Sequence, residues 1–309
     1  MRQHTLLIVK ILVATSFFAA LVYWVENQFG WAQTLAEWKN LNIGIVLFAA
    51  ILVFISHILR VLRVYYAYRQ TQKVTLRKVT SVSFVHNTLS YLLPMRLGEA
   101  ALPALSQHQL DISLKYSSAT LVLIRLFDAH MLLLLLSFFT GQIWLGHYAL
   151  WLPLILILTL PIGMRLLTKV AQKVSKLEFA LPLIVKTRSW AVLYGFTMGI
   201  WVTKLAGLAL LVSLLGHILI DHAWIATIIA EGSAASPITG FANAGTFELA
   251  FSLPLVPLGY DIAELVKTGV NLHIFISIIN IAIGIVGFAL LESKNKRSVD
   301  PENSQSARS

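Results

Sequence analysis

Charged residues and helix breakers cluster in otherwise apolar sequence between positions 87 and 128. The run Pro94–Glu99 holds Arg96 and Gly98, and Arg125 and Asp128 follow within the next hydrophobic segment. Charged side chains at membrane depth are costly and usually functional. An arginine fork suits phosphate or carboxylate, so the cluster predicts a buried polar site. A structural ion pair between Arg96 and Glu99 is the alternative.

Partners can be suggested for the charged residues within two other apolar segments. Arg125 and Asp128 are three residues apart, so they can pair on one helix face. Either they brace the helices, or Asp128 holds Arg125 while Arg125 faces a substrate phosphate. Lys204 lies inside a long apolar segment. It pairs with a carboxylate such as Glu231 or Glu248, or it faces a cavity.

A second polar, broken stretch lies between positions 231 and 248. Pro237, Gly240 and Gly245 predict a turn, followed by a new half-helix with Glu248 in its first turn. The N-terminus of a helix attracts anions. This stretch is therefore a second part of the candidate site, or else a tight turn that packs on neighbouring helices.

The composition excludes several other chemistries. The chain has no cysteine, nucleotide-binding motif or nucleophile elbow, and no two histidines have the spacing of metal ligands within one helix. We therefore predict no cofactor, no metal and no enzymatic activity. The candidate substrate-binding residues are Asn87, Pro94, Arg96, Gly98, Glu99, Arg125, Asp128, Lys204, Glu231, Pro237, Gly240, Gly245 and Glu248.

These residues are carried by a strongly apolar chain. Of its 309 residues, 57% are hydrophobic and only 12% are charged, about half the charged share of soluble domains. This composition predicts an all-α polytopic membrane protein. Six full spans are expected, at Leu6–Trp24, Ile43–Val64, Tyr116–Phe139, Tyr148–Leu167, Trp190–Leu215 and Val270–Leu291.

The net charge of +10 does not indicate nucleic-acid binding, because the bases cluster between the apolar segments. Between the second and third spans we count six bases, Arg60 and Arg63 among them. The bases between spans four and five, and those after span six, lie on the same side. By the positive-inside rule this pattern predicts a multi-pass membrane protein with both termini in the cytoplasm.

The regions Ser81–Leu105 and Ala223–Pro257 are apolar but broken by proline and glycine. We predict that each is a re-entrant helical hairpin, one inserted from each face. The halves 1–140 and 141–292 then form an inverted repeat within a single membrane domain, as in many transporters. Eight ordinary helices, two of them kinked, are the alternative. The polar tail 293–309 is predicted to be disordered and cytoplasmic.

The motifs Asn87, Pro94-x-Arg96-x-Gly98-Glu99 and Arg125-x-x-Asp128 resemble the core of the lysylphosphatidylglycerol synthase transmembrane-region family of flippase-like membrane proteins. The later Pro237…Gly240…Gly245…Glu248 pattern resembles the second motif of that family. The chain differs from the glycine-rich turn of that motif at Ile238, Phe241 and Ala242. The resemblance covers residues 5–292. It is to the transmembrane region of the family, without the soluble synthase domain.

The resemblance implies an inner-membrane protein that moves a polar-headed phospholipid or glycolipid between leaflets. The partners it implies are the lipid substrate and, as a further option, a separately encoded lipid-modifying enzyme; nucleic acid is not among them. Two other functions stay open. The protein is a non-catalytic membrane partner of such an enzyme, or a membrane enzyme that acts on lipid-linked phosphate.

Overall fold

The computed structural model describes residues 15–16, 19–235 and 241–291. Within these ranges, seven side chains are not described, those of Asn40, Met95, Arg96, Trp144, His147, Ser175 and Lys176. The described part of the chain contains helices and turns and no β-strand. The prediction of an all-α polytopic membrane protein is confirmed.

Twelve α-helices follow one another in the described ranges. They are α1 (19–28), α2 (Trp31–Ala36), α3 (Ile43–Tyr68), α4 (Leu76–Leu92), α5 (Ala101–Leu110), α6 (Leu114–Trp144), α7 (Trp151–Lys173), α8 (Leu181–Ile184), α9 (Thr187–Leu215), α10 (Ile220–Ser233), α11 (Thr246–Ser252) and α12 (Ile262–Leu290).

Five of these helices are long and apolar enough to cross a membrane: α3, α6, α7, α9 and α12. They correspond to the last five predicted spans. Most of the first predicted span, Leu6–Trp24, lies outside the described residues. Side-chain caps start three of the five, at Asn42, Ser113 and Asp261. Each cap accepts a backbone N–H that the first turn of a helix leaves without a partner.

The first broken region forms a hairpin of two helices. Helix α4 ends at Leu92 because Pro94 follows, and the residue before a proline is driven out of the helical region. A 3-10 helix, Pro94–Ala100, then leads into α5. The carbonyl of Leu110 at the end of α5 accepts a hydrogen bond from Gln72, which precedes α4. The two helices are therefore antiparallel, and hairpin 1 begins and ends at the same end of the helix bundle.

The second broken region has the same plan. Hairpin 2 consists of α10, the connection 234–245, α11 and the 3-10 helix Leu253–Leu258. Tyr260, which follows it, contacts Leu219 and His222 at the start of α10 through its hydroxyl group. Hairpin 2 therefore also begins and ends at one end of the helix bundle. Positions 236–240 of its connection, which include Pro237 and Gly240, lie outside the described residues.

The two hairpins approach from opposite ends of the bundle. At the centre, α3 and α9 run antiparallel: Gly207 packs on Ala49, and Gly199 packs on Leu59. Hairpin 1 follows the C-terminal end of α3, and hairpin 2 follows the C-terminal end of α9. Because these ends are opposite, the hairpins extend toward each other. The 3-10 helix Pro94–Ala100 of hairpin 1 contacts residues Phe241–Asn243 of hairpin 2.

The last helix of each half packs on the hairpin of the other half. Helix α12 lies along α4, where Ser81 bonds to the carbonyl of Gly287 and Thr88 to that of Asn280. Helix α6 lies in the same way against α10, with Phe139 stacked on Trp224. The contacts of the two halves thus match each other, as an inverted repeat predicts.

The structure corrects one detail of the charge pattern. Arg60 and Arg63 were counted as bases of a loop, but α3 continues through both of them to Tyr68. Both residues lie within the predicted span Ile43–Val64, and the side chain of Arg63 pairs with Asp128 inside the protein. Arg69, Lys73, Arg77 and Lys78 remain at that end of the bundle. The cytoplasmic position of this end stays a prediction.

Candidate functional site

Asp128 on α6 is the centre of a buried polar network. One of its oxygens, Oδ1, accepts hydrogen bonds from Arg63 Nη1 at 2.7 Å and from Trp201 Nε1 at 3.0 Å. Arg63 also donates to Thr197 on α9. Arg63 is 2% exposed and Asp128 4%. Three helices, α3, α6 and α9, are thus joined through one carboxylate, which is how buried charges are tolerated in a protein interior.

Arg125 connects this network to the break of hairpin 1. Its Nη2 lies 2.6 Å from Glu99 Oε1, and its Nη1 lies 3.2 Å from Asp128 Oδ2. The predicted pair between Arg125 and Asp128 is therefore present. Glu99 takes Arg125 as its partner, and the side chain of Arg96 is among those not described. His86 Nε2 lies 3.8 Å from Glu99, too far for a hydrogen bond.

Lys204 on α9 carries the next charge along the interior. Its Nζ lies 2.5 Å from Glu231 Oε2 on α10. Of the two partners that the sequence suggested, Glu231 is the one observed. Lys204 also lies over the ring of Trp201, whose N–H donates to Asp128. The pair therefore continues the same network toward hairpin 2.

Arg60 differs from the other bases of the network. Within the described part of the chain it has no hydrogen bond or ion pair, and its guanidinium lies over the ring of Trp201 at 5.4 Å. The described network has four bases, Arg60, Arg63, Arg125 and Lys204, and three acids, Glu99, Asp128 and Glu231. One positive charge is therefore left over, and Arg60 is the base without a counter-charge.

A small cavity lies between hairpin 1, α3 and α6. Arg60, Arg63 and Arg125 line it together with Ser83, His86 and Asn87. Its volume is about 20 Å³, which is room for one water molecule. Four buried polar atoms of its lining have no partner in the described residues: Arg63 Nε, Ser83 Oγ, His86 Nε2 and Asn87 Nδ2. Buried polar groups are normally satisfied, so these atoms indicate a site for a polar ligand or water.

Gly98 fixes the break of hairpin 1 against α4. A Cβ atom at this position would lie 2.1 Å from the carbonyl oxygen of Leu89. Only glycine permits this close approach between the two backbones. Pro94, at the start of the same 3-10 helix, is buried. Both residues therefore set the position of Glu99 and contribute shape to the site.

The break of hairpin 2 contains a second buried acid. Glu248 lies in the first turn of α11, as predicted, and its Oε2 accepts the N–H of Gly245 at 2.7 Å. Gly245 has a φ of 83°. The other oxygen, Oε1, lies 2.6 Å from His273 Nδ1 on α12. Glu248 therefore faces a histidine of α12 and is not the partner of Lys204.

The structure groups the predicted residues in two places. Asn87, Glu99, Arg125 and Asp128 surround or adjoin the cavity, and Lys204 and Glu231 extend their network. Gly245 and Glu248 belong to the second break. For Arg96 the side chain, and for Pro237 and Gly240 the whole residue, lie outside what the structure describes.

Sequence reasoning missed four residues of the site: Arg60, Arg63, Trp201 and His273. The two arginines were available in the sequence as charges within a helical apolar segment, but they were assigned to a loop. Trp201 and His273 carry no charge pattern, so only the fold reveals them.

In the described residues, no group of three or more potential ligands could hold a metal ion.

Comparisons with known proteins agree with the fold. A model of the lysylphosphatidylglycerol synthase TM region matches residues 7–284. A comparison with curated proteins found no significant match. The matched model represents a transmembrane region and not a catalytic domain. The chain is therefore a multi-pass membrane protein that belongs to the lysylphosphatidylglycerol synthase TM-region family, which links it to lipid metabolism or transport.

Proposed function

We propose that this protein moves a polar-headed lipid with an anionic phosphate group between the leaflets of the cell (inner) membrane. The observation that carries the proposal is the meeting of two opposed hairpins beside a buried, charged network. In transporters with inverted repeats, interrupted helices at matching positions form the substrate site. Here the contact between the two connections would place such a site between the ends of the bundle.

The charges favour an anionic head group. Arg60 supplies the uncompensated positive charge, and Asn87 and Arg63 each offer a buried donor atom without a partner at the same cavity. A guanidinium group binds phosphate through paired hydrogen bonds. The other arginines are held by Asp128 and Glu99, so they shape the site while Arg60 is free to take the ligand.

The small size of the cavity indicates a closed conformation. Ligand pockets usually measure about 300 Å³ or more, whereas this cavity has about 20 Å³. A head group would therefore enter only after hairpin 1 moves away from α3 and α6. Movement of one half against the other would open the site to each face in turn, while the lipid tails stay in the bilayer.

The test uses purified protein in vesicles that contain fluorescent phosphatidylglycerol, with a membrane-impermeant quencher to measure flipping. We expect wild-type protein to flip this lipid and Arg60→Gln to slow it by at least about tenfold, the effect of losing one charged hydrogen bond. The matched control is Arg77→Gln, at an exposed position of α4, and it should flip like wild type.

Two results would contradict the proposal. One is the absence of protein-dependent flipping; the other is an Arg60→Gln variant as active as wild type. Chemical turnover of a lipid-linked phosphate without flipping would favour a membrane enzyme. Neither flipping nor turnover would favour a non-catalytic partner of a separate lipid-modifying enzyme.

A further inference from the structure

Both ring nitrogens of His273 on α12 lie within hydrogen-bond distance of oxygen atoms. Its Nδ1 lies 2.6 Å from Glu248 Oε1, and its Nε2 lies 2.7 Å from the backbone oxygen of Ala242. Both side chains are buried, with 8% of the histidine side chain and 2% of the glutamate side chain exposed. The two contacts join α12 to α11 and to the connection of hairpin 2.

The number of protons in this arrangement follows from its geometry. A backbone carbonyl only accepts, so Nε2 must carry a hydrogen. A neutral imidazole has one N–H, so Nδ1 would then present a lone pair to Glu248. A lone pair and an ionised carboxylate at 2.6 Å repel each other. The pair therefore holds a second proton, either on Nδ1 of a charged ring or on the carboxyl group.

Loss of this proton would break one of the two contacts. With one N–H left, the ring can donate to Glu248 or to Ala242, but not to both. Glu248 also holds Gly245 through its other oxygen. Ala242 and Asn243, between these two tethers, have φ values of 50° and 67°. Asparagine adopts this conformation readily, but Ala242 does so only where its surroundings hold it, because a Cβ atom makes the left-handed region costly.

The surroundings of the pair come from several elements. Helix α4 contributes Tyr91, whose ring meets His273 edge-on and whose hydroxyl group contacts Ser277. Helix α10 contributes Glu231, which is paired with Lys204 of α9. Earlier on α12, Lys267 is paired with Glu37. Glu231 and Lys267 each have a partner among the described residues, so neither is an unpaired charge near the pair.

We propose that His273 and Glu248 form a proton-binding site that couples proton movement to the conformation of hairpin 2. With the proton bound, α11 and residues 241–245 of hairpin 2 are tied to α12 through Glu248 and Ala242. Release of the proton to water frees Ala242 or Glu248, and hairpin 2 can move. The proposal rests on the proposed lipid transport and makes it a proton-coupled process.

The substitution Glu248→Gln separates the proton from the hydrogen bonds. The glutamine oxygen can accept from Gly245, and its amide nitrogen can donate to Nδ1 of a neutral His273. The ring still donates from Nε2 to Ala242. Every contact is kept, but no shared proton remains. The matched control is Glu264→Gln, at an exposed position of α12.

The transport test compares vesicles with equal pH on both sides and vesicles with a pH gradient of either sign. We expect the gradient to shift the steady-state distribution of fluorescent phosphatidylglycerol in wild type and in Glu264→Gln. The limit for one proton per lipid is about tenfold per pH unit. Reversing the gradient should reverse the shift. Glu248→Gln should show no shift.

A second readout does not need transport. As the pH rises, we expect the melting temperature of wild type to fall by about 3 °C relative to that of Glu248→Gln, the effect of one lost hydrogen bond. This experiment decides the proposal if no variant flips lipid. Equal pH dependence of the two melting temperatures would overturn it.

If wild type flips lipid but the pH gradient does not shift the steady-state distribution, the proposed proton site would be overturned. The proposed lipid transport would still stand. A gradient response that persists in Glu248→Gln would have the same meaning. If flipping is absent in wild type and the melting temperatures still differ as expected, the proton site stands and the proposed transport fails.

Discussion

Asp128 accepts hydrogen bonds from three side chains, which come from α3, α6 and α9. Removing one member of a buried ion pair costs more than the pair contributes, because the other charge stays buried without a partner. We therefore interpret Asp128 as the residue that holds the helices and orients Arg125. Arg60 has no such partner in the described part of the chain, and we propose that it binds the ligand.

At the same scale, Ala242 adopts a backbone conformation that favours glycine, with a φ of 50°. We predict that Ala242→Gly raises the free energy of unfolding by about 1 kcal/mol, because the left-handed conformation costs a residue with a Cβ atom about that much. The melting temperature of the purified protein measures the change.

The control for this prediction is Ala244→Gly in the same connection. Ala244 is 3% exposed and is not among the residues with positive φ. Its methyl group is buried and its conformation needs no glycine, so the substitution should lower the melting temperature. An Ala242→Gly variant that is destabilised as much as Ala244→Gly would show that the turn is not strained.

At the residue scale, contacts between residues close together in the sequence could be predicted, and contacts between distant residues could not. The pair of Arg125 and Asp128 follows from helical spacing. The pair of Lys204 and Glu231 was one of two options. The contact between Glu248 and His273 could not be predicted, because it forms only when α12 packs on hairpin 2. Hydrophobic pattern and spacing carry no information on which distant helices meet.

At the scale of elements, proline and glycine set the breaks. Pro94 ends α4 for a reason that the sequence shows directly, since proline lacks a donor and restricts the residue before it. The role of Gly98 is visible only in the structure, where its hydrogen atoms face the carbonyl group of Leu89. The lengths of α3 and α6 were underestimated, since α3 continues past Val64 to Tyr68 and α6 runs from Leu114 to Trp144.

We predict that Gly98→Ala displaces the break of hairpin 1. The added methyl group would meet backbone atoms of Leu89 and Ser90, which cannot move aside as a flexible side chain can. The expected result is a destabilisation of about 2 kcal/mol and a loss of lipid flipping. Melting temperature and the fluorescent lipid assay measure the two effects.

The control at this scale is Gly163→Ala in α7. A Cβ atom there would have no neighbour within 4 Å. Because alanine favours a helix by about 1 kcal/mol over glycine, this variant should be as stable as wild type or more so. A Gly98→Ala variant that matches it in stability and flipping would contradict the proposed role of the close approach.

At the scale of the whole molecule, α6 and α12 connect the two predicted halves of the chain. Each hairpin is held by the final helix of the other half. The matching order of spans and broken regions predicted the inverted repeat, although the halves share no clear sequence identity. Hydropathy preserves such a plan because the membrane constrains length and polarity more than residue identity.

The opposed insertion of the hairpins is the claim on which the proposed transport depends. The chain has no cysteine, so single cysteines can be placed at exposed positions beside each hairpin and labelled in intact cells with a membrane-impermeant maleimide. The four substitutions are Lys73→Cys, Lys115→Cys, Leu219→Cys and Ile262→Cys.

Lys73 and Lys115 flank hairpin 1, and Leu219 and Ile262 flank hairpin 2. We predict that the first two cysteines are labelled only after the cells are opened, and that the other two are labelled from outside. Two positions that flank one hairpin but label from different faces, or all four labelling from the same face, would contradict the account.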